Sequence, residues 1–348
     1  MRVLITGQEG YIGAVMAPLL RREGFDVHGL DSGLFADCDF GPQPSGIPGV
    51  RRDIRDLTAT DLEGFEAVIH LAAISNDPLG NLNPDCTYEI NHRASVHLAE
   101  LAKQAGVERY LYSSSCSVYG AASPDDILDE GASFSPVTPY AESKVRVEAD
   151  VAGLADDDFS PVFLRNATVY GASPRLRGDL VVNNLVGWAF TSGHVLLKSD
   201  GTPWRPLVHV EDVCRAFLAV LRADRDQVHG EAFNVGRSGE NYRIIDVAEM
   251  VQEVVPNSRI EIAEGAGPDP RCYRVSFEKI ERRLPDFQPQ WTVRKGVEEL
   301  YEAYQREGLV QHDLEGSRYL RIRRIQELLD DKQLDDSLRW VEPEGDRS

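Results

Sequence analysis

Val3-Leu4-Ile5-Thr6-Gly7-Gln8-Glu9-Gly10-Tyr11-Ile12-Gly13 stands at the start of the chain and decides its fold. Three β-favouring apolar residues run into a glycine turn, and residues 11–22 then show helical apolar spacing with Arg21 and Arg22 at the far end. The order is strand, tight turn, helix. Gly7, Gly10 and Gly13 form G-x-x-G-x-x-G, a relative of the dinucleotide fingerprint: glycine lets the backbone approach a pyrophosphate, and the helix N-terminus favours negative charge. A second β-rich run, residues 25–30, ends at Asp31. A carboxylate at this spacing takes the adenosine ribose hydroxyls and repels a 2′-phosphate, so the reading favours NAD over NADP.

Working outward, residues 67–73, 109–112, 161–165 and 232–236 read as further strands, with Val50 at a third strand position. Helical segments at 85–105, 139–154 and 211–221 separate them. This alternation predicts an α/β fold, a doubly wound parallel sheet of Rossmann type with ligands at the C-terminal strand ends, where Gly7, Asp31, Ala72 and Ser115 fall. Residues 32–49, rich in Gly, Pro and Asp, and residues 74–84, with Asn76-Asp77-Pro78, read as loops. Beyond 165 the alternation lapses. A Gly/Pro/Arg-rich loop at 171–178 and helices near 180–191, 240–255, 292–304 and 317–330 suggest a smaller C-terminal α+β lobe. The expected division is a dinucleotide-binding domain at 1–165 that also receives about 207–236, and a substrate-binding lobe at 166–206 and 237–348. The acidic last dozen residues read as frayed.

Composition narrows the partners. The 37 basic and 57 acidic residues give a formal charge of −20, which disfavours a nucleic-acid backbone or an anionic membrane. An anionic substrate then needs local arginines or backbone N–H groups. Five scattered cysteines without a Cys-x-x-Cys pair argue against a zinc site or disulfide framework and for a reduced, cytoplasmic setting. The sequence contains no apolar run of membrane-spanning length.

Tyr140 and Lys144 lie four residues apart in a predicted helix, downstream of Ser113-Ser114-Ser115. That spacing stacks both side chains on one face, and an ammonium beside a phenol stabilises the phenolate, giving a proton acceptor near neutral pH. Spacing alone also fits an exposed helical pair. The glycine turn, the acid and the serine cluster in the required order favour the site. His209 reads as a helix cap, and Asp125, Asp126, Asp129 and Glu130 as a solvated turn.

With these motifs, together with Asp53-Ile54-Arg55, His70-Leu71-Ala72-Ala73 and Val118-Tyr119-Gly120, the chain resembles the extended short-chain dehydrogenase/reductase family. Within it the similarity is to NAD-dependent epimerases and dehydratases of nucleotide sugars, of the UDP-galactose 4-epimerase type. The resemblance implies Ser115, Tyr140 and Lys144 as catalytic residues. For NAD it implies Gly7, Gly10, Tyr11, Ile12 and Gly13 at the pyrophosphate, Asp31 at the ribose, Asp53 and Ile54 at the adenine, and Leu71, Ala72 and Ala73 alongside. Tyr140 and Lys144 would also touch the nicotinamide half. For the nucleotide-diphosphate sugar it implies Asn76, Ser115, Asn166, Thr168 and Arg205; the family's second diphosphate arginine falls at Ala266 here, and Arg271 or Arg274 is read as its replacement. Thr168 stands where the family often has Asn. Cys116 and Ser117 occupy places where related dehydratases and decarboxylases carry acids, which disfavours protonation of a leaving hydroxyl. Cys116 reads as a small packed residue. The implied activity is epimerisation, at C4. A ketoreductase or a dehydratase of unusual pattern is the alternative, and a silent NAD-binding scaffold the third reading. Apolar residues on helices 85–105 and 139–154 suggest a homodimer built on a four-helix bundle.

Overall fold

The computed structural model describes residues 1–42, 46–75, 77–123, 126–267 and 271–341. Asn76, Asp125 and the last seven residues lie outside that set. Seven parallel strands form the central sheet in the spatial order Ala232–Val235, Ser160–Asn166, Arg109–Ser115, Ala67–His70, Arg2–Thr6, Asp26–Asp31 and Gly49–Arg51. The strand order reverses on either side of Arg2–Thr6, which places the glycine turn at the crevice where such sheets bind ligands. Helices Gly13–Arg22 and Val210–Arg222 cover one face and Ala94–Gln104 and Pro139–Ala152 the other, each through a fully or nearly fully buried apolar side. This is the doubly wound sheet expected from the alternation.

The remaining elements gather around a separate core, in which helices Val181–Ser192, Ile244–Val254 and Val293–Glu307 pack with strand His194–Ser199. Strand Trp204–His209 joins the two regions by pairing in parallel with Thr168–Tyr170 and antiparallel with Asn241–Arg243.

Three stretches depart from the expected elements. The loop at 74–84 contains a helix, Asp77–Leu82, because Pro78 falls in its first turn, where a missing N–H leaves no bond unmade. The helix at 85–105 is broken into Pro84–Tyr88, a π-helical turn Glu89–Arg93, and Ala94–Gln104. Within that turn the buried Asn91 side chain bonds both the N–H and the carbonyl of Ile74, at 2.7 and 2.9 Å, anchoring the chain after the fourth strand. The helix at 240–255 begins only at Ile244, since Asn241–Arg243 is taken by strand pairing.

Candidate active site

A cavity of about 1110 Å³ follows the C-terminal ends of the sheet strands. That exceeds the roughly 300–1,000 Å³ of a pocket for one small ligand, and so gives room for a cofactor and a substrate together. The predicted cofactor residues all line it: Gly7, Gly10, Tyr11, Ile12 and Gly13 from the first turn, Asp31, Asp53 with Ile54, and Leu71 to Ala73.

The glycine turn is shaped for close approach. Gly7 has a φ of 78°, and a Cβ there would lie 2.8 Å from the backbone nitrogen of Ala72, while a Cβ on Gly13 would collide with the Gly7 carbonyl. Asp31 is held at the strand end by the N–H groups of Gly33 and Glu9, at 2.8 and 3.1 Å. Burial raises its pKa, and those two hydrogen bonds oppose the rise. Donor hydroxyls from a ribose fit the capacity that remains. Asp53 caps a 3₁₀ turn and pairs with Arg55 at 2.6 Å. Burial works to raise its pKa, but the hydrogen bonds from Arg55 outweigh it and hold the carboxyl below the usual range. Ser117 Oγ and Asn166 Oδ1, on residues lining the same cavity, are buried without a hydrogen-bond partner. These features fit a dinucleotide.

The chemistry-bearing residues line the same cavity. Strand Arg109–Ser115 runs through the serine cluster, and Ser115 Oγ accepts from the N–H of Ser117 at 3.1 Å as it starts a 3₁₀ turn. Helix Pro139–Ala152 starts at Thr138, whose hydroxyl caps the N–H of Ala141 at 3.2 Å, with Pro139 in the first turn. This fixes Tyr140 at the cavity edge and Lys144 one turn deeper. Lys144 Nζ donates to the Ser113 carbonyl at 2.8 Å and sits 5.6 Å from the Tyr140 ring centre and 4.6 Å from that of Tyr112. Burial lowers its pKa to about 7, with the Glu148 carboxylate working the other way. Glu148 forms a buried ion pair with Arg165 at 2.6 Å and accepts from Ser114.

Thr168, Asn166, Arg205 and Arg271 also line the cavity. Asn166 Nδ2 donates to Ser113 Oγ at 3.0 Å. Arg205 is buried and donates to the Trp204 and Arg271 carbonyls. Arg274 is not part of the lining: its guanidinium lies 5.2 Å over the Trp204 ring, in a two-residue strand paired with Ile127–Leu128. Of the two arginines, Arg271 alone reaches the cavity. The hydroxyl of Tyr11 is committed to the Gly171 carbonyl at 2.7 Å, and its burial pushes the pKa up.

His209 accepts from the Glu211 N–H, bonds Glu299 at 2.9 Å and stacks on Trp291, outside the cavity. Cys116 is fully buried, donates toward the Arg165 carbonyl at 3.1 Å, and has its pKa raised by burial. Glu130 corrects the reading of a solvated turn. It accepts from the Asn234 N–H at 2.8 Å, and partial burial raises its pKa, because the strand end at Asn234 draws the turn inward. Among the lining residues missed in the sequence are Arg177 and Asp179, a largely buried pair at 2.9 Å in the Arg-rich loop, with Arg177 also reaching Ser75. Two arginines in a short Gly/Pro-rich stretch were the available signal.

The fold and this site together define an enzyme that works with a bound nicotinamide dinucleotide. A model of the NAD dependent epimerase/dehydratase family matches residues 3–236, and the chain belongs to that family. It is 27% identical to a UDP-glucose 4-epimerase of Corynebacterium glutamicum over 301 residues, covering 82% of this chain and 90% of that protein. With a UDP-glucose 4-epimerase of Neisseria gonorrhoeae it shares 30% over 273 residues, 71% of this chain and 80% of the other. Among solved structures it is similar to MoeE5 in complex with UDP-glucuronic acid and NAD, with a TM-score of 0.76 and 28% identity, covering 88% of this chain and 99% of that one. A second is TunA, an NAD dependent NDP-hexosamine 5,6-dehydratase involved in tunicamycin biosynthesis, with a TM-score of 0.78 and 25% identity, covering 88% and 98%.

Proposed function

We propose that the enzyme epimerises a nucleotide-diphosphate sugar at C4. The observation that carries this reading is the convergence of Ser115, Tyr140 and Lys144 on one cavity that the glycine turn and the arginines Arg205 and Arg271 also line. Tyr140 takes the proton from the C4 hydroxyl, Ser115 hydrogen-bonds the same oxygen, and Lys144 favours the phenolate by its charge. Gly7, Gly10, Gly13 and Asp31 hold NAD, which when bound supplies the hydride chemistry. Arg205 and Arg271 hold the diphosphate through planar donor forks.

Inversion at C4 requires a 4-keto sugar to offer both faces to one site, and a cavity of about 1110 Å³ gives it space to turn. The two sequence positions after Ser115 carry no acid to expel a hydroxyl, since Cys116 points into the core and Ser117 ends in an alcohol. The curated relatives named UDP-glucose 4-epimerase support the reading, and TunA keeps dehydration as the alternative. NMR analysis of products from UDP-, TDP-, GDP- and CDP-sugars tests it. A C4 epimer without loss of water is expected; a dehydrated product, or net consumption of reduced cofactor, would remove it. The proposal includes assembly as a homodimer.

A further inference from the structure

The C-terminal segment lies across the adenosine end of the cavity. Ile325, Leu328, Leu334 and Leu338 pack with Ile74 and Cys86. The Trp340 indole donates to the Ser32 carbonyl at 2.7 Å, next to Asp31, and Arg51 stacks 4.4 Å from the Trp340 ring centre. Arg55, which pairs with Asp53, also donates to the Ser337 carbonyl at 2.7 Å. Both acids expected at the adenosine thus have this segment as a neighbour.

One side chain in it is out of balance. Arg321, at the start of helix Arg321–Asp330, is 4% exposed and lines the cavity. Its guanidinium lies 4.1 Å from the Phe35 ring centre, and Nη2 makes only a long 3.4 Å bond to the Arg175 carbonyl. Nη1 is buried with no hydrogen-bond partner, and among the described residues no carboxylate pairs with the group. Burying a cation in this state is costly unless an anion completes the site. Arg321 reaches the carbonyl of Arg175, whose side chain donates to the carbonyl of Glu9 at 3.1 Å, so one residue links Arg321 to the glycine turn. That turn, residues 7–13, contains no Lys or Arg of its own.

We propose that Arg321 is a direct ligand of the cofactor's pyrophosphate, and that residues 320–340 form a cover that retains NAD between turnovers. The inference rests on reading Gly7 to Gly13 as the pyrophosphate turn. It adds a cation supplied from the far end of the chain, and a seal made by Ile325, Leu338 and Trp340.

The test uses full-length protein stripped of nucleotide and titrated by calorimetry with NAD, ADP-ribose and adenosine. For Arg321→Gln, a lost charge-assisted bond should weaken NAD and ADP-ribose by about tenfold or more and leave adenosine within about twofold. A folded variant that binds ADP-ribose like the wild type overturns the proposal, as does a loss of adenosine binding equal to the loss of ADP-ribose binding. Should the variant not fold, hydrogen exchange on the wild type decides. ADP-ribose should slow exchange across residues 321–330 more than adenosine does, and equal protection overturns the assignment. Failure of the wild type to bind ADP-ribose would sink the reading of the glycine turn itself, and this proposal with it.

Discussion

The Lys144 ammonium is enclosed by protein, with one carbonyl at 2.8 Å and two aromatic faces around it, and burial brings its pKa down to about 7. On the proposed mechanism a phenolate at Tyr140 favours the charged ammonium beside it, and that charge in turn favours the phenolate. Tyr140→Phe removes the one oxygen assigned to the proton and leaves the helix cap at Thr138 in place. Turnover should fall by about 10²–10⁴, the range for a general acid or base, with bound NAD and thermal stability unchanged. Wild-type turnover on the identified substrate would refute the role. At Asp31 the carboxylate is fixed by the Gly33 and Glu9 N–H groups and faces the cavity. Asp31→Asn keeps the shape and removes the charge, so NADP affinity should rise relative to NAD by about tenfold or more, given that a like-charge contact costs a kcal/mol or several. Calorimetry on stripped protein checks it, and a wild type that binds both equally speaks against the role of Asp31. These residues were legible because each is tied to its neighbours by a fixed spacing. Arg321 was not, since on an amphipathic helix near the C-terminus an arginine reads as exposed, and only the fold buries it in the cavity wall.

His70 ends strand Ala67–His70 and joins three elements. Its Nδ1 meets Thr6 Oγ1 at 2.7 Å on the first strand, and its Nε2 meets Ser95 Oγ at 2.8 Å on helix Ala94–Gln104. Burial, with the nearby Lys144 charge adding to it, lowers the His70 pKa from 6.5 to about 3. The native state therefore holds a neutral ring where the unfolded chain takes a proton, so this contribution is complete above pH 6.5 and is lost as pH falls toward 3. In urea unfolding, the stability difference between wild type and His70→Gln should shrink by about 1.4 kcal/mol per pH unit below 6.5. A difference that stays constant from pH 7 to 4.5 would count against this account. At this scale the sequence was readable where period and ends agreed, as in helix Pro139–Ala152 with Thr138 before and Pro139 within its first turn. It was not readable where tertiary bonds override the pattern: the π turn at Asn91, or Asn241–Arg243, drawn from a helical pattern into a strand by pairing with Trp204–His209.

Across the whole molecule, the regions meet around the glycine turn. Arg175 holds the Glu9 carbonyl, Ser173 the Tyr11 carbonyl, and Tyr11 the Gly171 carbonyl, so the Arg-rich loop fastens the cofactor turn to the second core. The parallel sheet was legible from alternation. These ties were not, because they join positions about 160 residues apart through backbone carbonyls that every residue type carries. The same holds for assembly. Leu98 and Ala102 are fully buried, and Ala94 and Leu101 nearly so, within the subunit's own core. The apolar stripe is thus consumed before any partner arrives, and Leu98→Glu would unfold the subunit rather than separate a dimer into its subunits. The outward side of these helices instead carries His97, Arg146 and Ala149, all exposed, while Val96 and Val145 are half-buried against the core. A small residue such as Ala149 permits close approach of helix axes about a two-fold, so the proposed four-helix contact would fall there. On this proposal, sedimentation equilibrium at micromolar concentration should give a dimer for the wild type and a monomer with retained NAD for Ala149→Trp. A wild type that sediments only as monomer removes the dimer. A variant that stays dimeric moves the contact to another face.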